Sequence, residues 1–258
     1  MRSSNAERML TPARRRGIEI LDDPAQDPKL AVRSLRDVAL ANRLFGGRRA
    51  VVRELQGLIR SGIADRAHAD RATRQFTPTS QIAITLLDVG TGLGDIPKAA
   101  ADEAESFGLQ LITIGLELSP AIAKAASASC THAIVGDAMR LPFADGSIDI
   151  VTCSQLLHHF DGHAADVLLR ECNRVARMGV VVGELRRSWL AVAGLWSVSF
   201  LLRFHPVSRH DGVVSILRGY TTQELRRLVR RISGTRVIVR RRYAWRVTAT
   251  WIPGKIIE

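Results

Sequence analysis

The spacing of hydrophobic positions changes near residue 80 of the chain. Before it, apolar residues recur at helical spacing over 30–44 and over 51–59, and these runs stop at Gly46-Gly47 and at Gly62. The pattern predicts two helices, each with one apolar face that needs a surface to cover. Residues 64–80 are rich in polar and small side chains, which indicates a linker or a frayed helix.

Beyond residue 80, apolar runs alternate with amphipathic stretches. Near-continuous apolar strands separated by helices are typical of an α/β protein whose parallel sheet is covered on both faces. The predicted strands are 82–89, 111–116, 132–136, 148–154 and 179–184, and the helices are 96–107, 120–129 and 163–176. Thr221 and Glu224 have the spacing of a capping box, which predicts a helix through residue 232. Two β-rich runs, 235–240 and 243–251, predict a hairpin that closes the sheet.

The composition is that of an ordinary globular protein. Of the 258 residues, 46% are hydrophobic and 24% are charged, which fits one large domain or one domain with an appended piece. The three cysteines have no metal-ligand spacing, so neither a disulfide scaffold nor a metal site is predicted. No apolar stretch resembles a secretory signal or reaches the ~20 residues of a membrane-spanning helix. These features predict a cytoplasmic protein.

The net charge of +12 is unevenly distributed, since residues 81–183 are acidic and both flanks are basic. Nucleic-acid binding is one interpretation of the flanks. Most of the basic residues are arginine, a bias that often reflects GC-rich coding, so we favour a solvated basic face or attraction to an anionic membrane surface. We expect no specific nucleic-acid partner, and the sequence indicates no oligomeric state.

A glycine-rich loop and two acids follow the first three predicted strands. Gly90, Gly92 and Gly94 let the backbone turn sharply and let a ligand approach the main chain. The nicotinamide fingerprint needs a glycine at position 95, where this chain has aspartate. Glu117 stands where a carboxylate accepts ribose hydroxyls, and Asp137 stands where one suits an adenine edge. Each feature alone also fits a turn or a helix cap, but the ordered set predicts a nucleoside site.

With these residues, the sequence resembles the class I S-adenosylmethionine-dependent methyltransferases. It is most similar to the small-molecule branch that includes the ubiquinone- and menaquinone-type enzymes. The segments that carry the likeness are 87–95 (LDVGTGLGD), 115–120 (GLELSP), 136–160 and 170–185. The resemblance implies a Rossmann-like fold with a mostly parallel seven-stranded sheet flanked by helices. It also implies an N-terminal helical extension over 1–80, a methyltransferase domain over 81–258, and a helical lid inserted at 186–220.

The cofactor implied by the resemblance is S-adenosylmethionine, with S-adenosylhomocysteine as product. The residues that the resemblance assigns to it are Asp88, Gly90, Thr91, Gly92 and Gly94 in the loop, Glu117 and Leu118 at the ribose, Asp137 and Ala138 at the adenine, and Ser154 and Gln155 near the sulfonium. An acceptor hydroxyl or activated carbon also needs a base. His158 and His159 follow the fourth strand and are candidate catalytic residues, although one of them can instead pack or cap the next helix.

The segment after the fifth strand is the candidate acceptor-binding region. Trp189, Trp196 and Phe200 lie on one helical stripe. The stripe fits a helix packed on the core, a lid over a hydrophobic acceptor, or a helix in a membrane interface flanked by arginines. Arg186 and Arg187 either face an anionic or phenolate group or lie in solvent.

The sequence therefore predicts a methyltransferase that acts on a small, hydrophobic or aromatic, hydroxyl-bearing acceptor, with O-methylation favoured over C-methylation. One alternative is an RNA or DNA methyltransferase. The fourth strand ends in Ser154-Gln155 and lacks the Asn/Asp-Pro-Pro-aromatic motif of base-amino methylation, and Cys153 lacks the Pro-Cys context of cytosine-C5 enzymes. The other alternative is a catalytically silent S-adenosylmethionine-binding protein.

Overall fold

The computed structural model describes residues 9–23, 26–73 and 83–254, and for residues 62–73 the backbone alone. The helices are α1 (Pro28–Leu44), α2 (Gly47–Thr73), α3 (Asp95–Glu105), α4 (Pro120–Ala126), α5 (His163–Val175), α6 (Trp189–Leu201), α7 (Pro206–Arg218) and α8 (Thr222–Ser233). The strands are β1 (Ala83–Val89), β2 (Gln110–Glu117), β3 (His132–Val135), β4 (Ile148–Ser154), β5 (Ala176–Leu185), β6 (Ile238–Arg242) and β7 (Arg246–Trp251). Single 3₁₀ turns form at Ile20–Asp22 and Leu157–His159.

The strands form one seven-stranded sheet in the order β3-β2-β1-β4-β5-β7-β6. Strands β1 to β5 pair in parallel, and β7 runs antiparallel to both β5 and β6. The mostly parallel sheet and its closing hairpin are confirmed. Because the chain crosses from β3 to the far side of β1 before it forms β4, the strand order reverses between β1 and β4. In open α/β sheets, ligands bind at the carboxyl ends of the strands beside such a reversal.

Helices cover both faces of the sheet, as a parallel sheet requires. On one face, α2 and α3 pack against alternate strand residues such as Ile84 and Ile150. On the other, α5 and α8 pack against the intervening residues such as Val151 and Val182. The alternation of side chains along each strand thus supplies two separate apolar cores. Helix α8 begins at the predicted capping box, in which Thr221 and Glu224 satisfy each other's backbone N–H groups.

Helix α2 corrects one prediction. The sequence predicted that this helix ends at Gly62 and that a linker or a frayed helix follows, but one helix continues through Gly62 to Thr73. A glycine inside a helix costs only about 1 kcal/mol relative to alanine. Burial of the first half of α2, including Val51 and Leu55, outweighs that cost. The remainder of the predicted linker, 74–80, lies outside the described residues.

A segment that we call the strap, residues 9–23, runs along α7. The carbonyl of Leu10 accepts a hydrogen bond from the backbone N–H of Trp189, and the N–H of Arg15 donates to the carbonyl of Leu217. Near its end, the N–H groups of Ile20 and Leu21 donate to the carboxylate of Asp211 at 2.8 and 3.0 Å.

The predicted insertion after β5 consists of α6 and α7. In the described part of the chain, no helix combines the length and hydrophobicity needed to cross a membrane.

Candidate active site

The glycine loop joins β1 to α3 at the carboxyl edge of the sheet. Gly90 and Gly92 have φ angles of +67° and +58°, in the left-handed region that favours glycine. A Cβ atom at Gly90 would lie 2.8 Å from the side chain of Leu156, whereas at Gly92 its nearest neighbour would be Leu35 of α1, at 3.8 Å. The loop is therefore packed tightly against the end of β4 and covered more loosely by α1.

Asp88 is the penultimate residue of β1, beneath this loop, and is buried. Its Oδ2 atom accepts from the Thr91 hydroxyl at 2.8 Å, while Oδ1 is buried with no hydrogen-bond partner in the described part of the chain. Burial, together with the charges of Asp95 and Glu117, raises the pKa of Asp88 to about 8. Buried polar atoms in folded proteins nearly always have a partner, so Oδ1 marks a place for a donor.

Glu117 connects the ends of β1 and β2. Its Oε1 atom accepts from the backbone N–H of Gly92 at 2.5 Å, which fixes the loop to the neighbouring strand. Burial raises the pKa of Glu117, although the N–H groups of Gly92 and Leu118 and the charge of His159 oppose that rise. The side chain of Leu118 is exposed.

Asp137 follows β3, the next strand along the sheet. The N–H of Gly136 donates to the carbonyl of Glu117 at 2.9 Å, so the turns after β2 and β3 are joined. Asp137 is exposed, and its Oδ1 atom accepts from Met139 N at 2.8 Å. Ala138 packs against the core. The structure thus brings the glycine loop, Glu117 and Asp137 to neighbouring strand ends.

Ser154 and Gln155 end β4, as the sequence indicates, but the amide of Gln155 is held in a hydrogen-bond network. Its Nε2 atom donates to Asn42 of α1 at 2.6 Å, and its Oε1 atom accepts from Arg246 of β7 at 2.8 Å. Gln155 has a φ of +53°, a conformation that this network stabilises. Sequence reasoning missed Asn42 and Arg246, because they come from elements far from β4 along the chain.

The two candidate catalytic histidines lie in a cluster of acids. His158 is buried, and its Nδ1 atom lies 2.8 Å from Glu184 of β5. His159 is half-buried, and its Nδ1 atom lies 2.8 Å from Asp22 of the strap. Burial alone would lower the pKa of His158, but the carboxylates of Glu184 and Glu19 outweigh it and raise that pKa to about 9. His158 is therefore protonated at neutral pH, a form that cannot act as a base.

Comparison with known proteins finds a family that resembles the centre of the chain. Residues 87–182 match the model of a family described as a methyltransferase domain. This segment is therefore similar to a methyltransferase domain. The segment holds the glycine loop, Glu117, Asp137 and the histidine pair.

Individual relatives agree with the assignment. The chain is 32% identical to malonyl-[acyl-carrier protein] O-methyltransferase 1 of Coxiella burnetii over 46% of its length and 39% of the relative's. It is 35% identical to the demethylmenaquinone methyltransferase of Mycolicibacterium vanbaalenii over 42% of its length and 44% of the relative's. The match therefore spans less than half of either relative. A solved S-adenosylmethionine-dependent methyltransferase from Aquifex aeolicus has the same fold, with a TM-score of 0.55 at 13% identity, over 88% of this chain and 98% of that one.

Just after the segment that matches the methyltransferase family, the two arginines occupy different environments. The guanidinium of Arg187 is buried and binds both oxygens of Glu224 at 2.8 and 2.9 Å, together with the carbonyl of Pro12. Arg187 thus faces neither an acceptor nor solvent, and both interpretations of this residue are wrong. Arg186 is half-buried, and its backbone N–H donates to the carbonyl of Trp245 at 2.7 Å.

The aromatic stripe of α6 is exposed to solvent. Trp189, Trp196 and Phe200 are 41%, 56% and 50% exposed, so the stripe is not packed in the core. The rings of Trp196 and Phe200 meet edge to face with centroids 4.5 Å apart. Arg209 lies over the Phe200 ring at 4.3 Å, and Arg15 of the strap lies over Trp189 at 5.7 Å. The stripe is an aromatic surface beside basic side chains.

Proposed function

We propose that the chain as a whole is a methyltransferase that transfers a methyl group to a small acceptor. The acceptor is hydrophobic or aromatic and carries a hydroxyl group, and O-methylation is favoured over C-methylation. The observation that carries the proposal is the ordered placement of the glycine loop, Glu117 and Asp137 at three neighbouring strand ends. The name of one curated relative specifies O-methylation of a malonyl group on a carrier protein, which supports methyl transfer to oxygen. The name of the other specifies a quinone, which supports a small aromatic acceptor.

The residues at the loop fit the cofactor. S-adenosylmethionine supplies a methyl group on a positively charged sulfonium. The buried Oδ1 atom of Asp88 suits an amino-group donor, and Glu117 and Asp137 with Ala138 suit the ribose and the adenine. Burial raises the pKa of Asp95 as well as that of Asp88. The positive charge of a bound cofactor near these two acids would favour their charged forms. Ser154 and Gln155 complete the edge beside the sulfonium.

The remaining elements fit an acceptor-binding cover over the edge. The chain divides in this proposal into the extension 1–80 and the domain 81–258, with the lid at 186–220. Helix α1 covers the glycine loop through Leu35, and the strap connects α7 to the histidine pair through Asp22. Covers of this kind exclude water, and holding the two reactants in line can supply ~7–11 kcal/mol of the barrier reduction.

Methyl transfer is the direct test. The purified chain should bind S-adenosylmethionine and transfer its labelled methyl group to at least one member of a panel of phenols, quinols and hydroxylated lipids. Binding is measured by calorimetry and transfer by mass spectrometry of the product. Failure of the folded chain to bind the cofactor would contradict the assignment of the loop. Binding with no product across the panel, or product on RNA alone, would contradict the acceptor class.

The aromatic stripe gives a second expected result. If the stripe binds the acceptor together with Arg186, Trp196→Ala and Phe200→Ala should raise the acceptor KM several-fold. Cofactor affinity and Tm should change little, because both side chains are half-exposed and their removal leaves no cavity. Leu201→Ala is the matched control, since Leu201 is exposed on the same helix beside Phe200. An unchanged KM in both aromatic variants would remove the stripe from the acceptor site.

A further inference from the structure

The arrangement of His158 and His159 differs from that of a catalytic base and the residue that orients it. The rings of His158 and His159 lie against each other with centroids 4.4 Å apart and planes tilted by 31°. Each ring is fixed through its Nδ1 atom by a carboxylate at 2.8 Å, Glu184 for one and Asp22 for the other. Both Nε2 atoms are thereby directed to a third carboxylate, that of Glu19, at 3.6 and 3.8 Å. Histidines that bind metals almost always have the other ring nitrogen bonded to such a group.

The Nε2 atom of His158 is the unpartnered atom of the pair. It is buried, and within the described ranges of the chain no atom forms a hydrogen bond with it. Its separation of 3.6 Å from Glu19 is too long for a hydrogen bond. Once the proton of His158 is displaced, this nitrogen offers a lone pair beside a buried carboxylate, which is the kind of donor that metal sites use.

The distances suit a single ion. One ligand atom from each of Glu19, His158 and His159 lies within 4.8 Å of the other two. Two atoms that are each ~2.1 Å from a common tetrahedral ion are ~3.4 Å apart. The Oε1 atom of Glu19 lies 3.6 Å from Nε2 of His158, and its Oε2 atom lies 3.8 Å from Nε2 of His159, so each pair needs only a small shift to share an ion.

The charges also fit a divalent cation. The cluster contains the carboxylates of Glu19, Asp22 and Glu184 and one guanidinium, that of Arg218, which contacts Asp22 at 2.8 Å and Glu19 at 3.2 Å. A metal ion at the Nε2 atom of His158 would displace its proton, and with both imidazoles neutral these four charged side chains carry two negative charges in excess. Arg218 meets His159 at its Nδ1 atom, 3.3 Å away, on the side of the ring that Asp22 also occupies. A divalent ion at the Nε2 atoms would neutralise the cluster.

We propose that Glu19, His158 and His159 bind a divalent first-row transition metal ion of the Zn²⁺ type. Two imidazoles and one carboxylate are the protein ligands of zinc sites that keep a position for water or substrate. The inference extends the proposed function, because an acceptor oxygen in that position would lose its proton more readily. The histidines then serve as ligands rather than as the base. The sequence predicted no metal, since Glu19 lies in the strap, far from the histidines along the chain.

Metal binding is tested without cofactor or acceptor. The full chain, freed of metal with a chelator, is titrated with Co²⁺ and followed by visible absorption, and with Zn²⁺ by calorimetry. One ion per chain should bind, with Co²⁺ absorption bands typical of nitrogen and oxygen ligands. His159→Ala and Glu19→Gln should each weaken binding by at least tenfold. His210→Ala is the matched control, because His210 forms a similar pair with Asp211 at 2.8 Å outside the cluster.

The outcomes separate this site from the proposed function. His159 is half-buried, so its alanine variant should fold, and a Zn²⁺-dependent rise of Tm in the unmodified chain should be absent from it. Absence of saturable binding, or equal affinity in His159→Ala, Glu19→Gln and His210→Ala, would overturn the metal site. Undiminished methyl transfer by the chelator-treated chain would remove the metal's role in the reaction while leaving the proposed function intact.

Discussion

Glu224→Leu is expected to lower the free energy of unfolding by about 3 kcal/mol. The replacement leaves the guanidinium of Arg187, which is 4% exposed, buried with only backbone carbonyls as partners. Loss of one partner from a buried ion pair costs about 3–5 kcal/mol. The lower end applies here, because Glu224 is itself partly exposed. Chemical denaturation of the two proteins measures the difference.

Two further variants separate the charge from the helix cap. Glu224→Gln keeps an acceptor for the N–H of Thr221, so the capping box survives while the charge is lost. Glu224→Gln should therefore lower the free energy of unfolding by less than Glu224→Leu does. The double replacement Arg187→Met with Glu224→Leu should be more stable than Glu224→Leu alone, because no charge then remains buried. Equal stability of Glu224→Leu and the unmodified chain would show that the pair contributes nothing.

The same pair predicts a pH dependence. Burial disfavours the charge of Glu224, but the hydrogen bonds from Arg187 and Thr221 outweigh it and lower the pKa from 4.5 to about 2. Because the pKa of Glu224 is lower in the folded state than in the unfolded state, ionised Glu224 stabilises the fold. This stabilisation is fully present above pH 4.5 and is lost as the pH falls towards 2. The stability difference between the unmodified chain and Glu224→Gln should therefore shrink over that range, as measured by denaturation at several pH values.

The fold was accessible from the sequence because its determinants are local. Apolar runs located β1, β2 and β4 to within a few residues, and parallel pairing then placed the glycine loop and Glu117 at one edge. The end of α2 was not accessible, because tertiary burial decided whether the helix continued past Gly62.

The parts of the site that the sequence did not reveal depend on contacts between distant segments. Glu19 and Arg218 join the histidine pair only because the strap lies along α7. Likewise, Asn42 reaches Gln155 only because α1 covers the loop. The stripe of α6 has the spacing of a packed helix, yet it faces outward. Periodicity shows that a helix has an apolar face and leaves open what covers that face.

Glu117→Ala is expected to weaken binding of S-adenosylmethionine about 5- to 150-fold, or about 1–3 kcal/mol, the cost of leaving charged hydrogen bonds unmade. Two effects combine. The proposed ribose hydroxyls lose their acceptor, and the N–H of Gly92 loses the carboxylate that fixes the loop. Calorimetry measures the affinity, and Tm confirms that each variant folds.

Two matched variants show which effect dominates. Glu117→Gln keeps an acceptor for Gly92 N, so the loop should stay fixed while the charge is lost. Because the charge of Glu117 helps to raise the pKa of Asp88, both replacements should also lower that pKa. Asp137→Ala removes an exposed carboxylate from the next strand end without releasing the glycine loop. If Glu117→Ala folds and binds with unchanged affinity, Glu117 holds no part of the cofactor, and its role is confined to its hydrogen bond with Gly92.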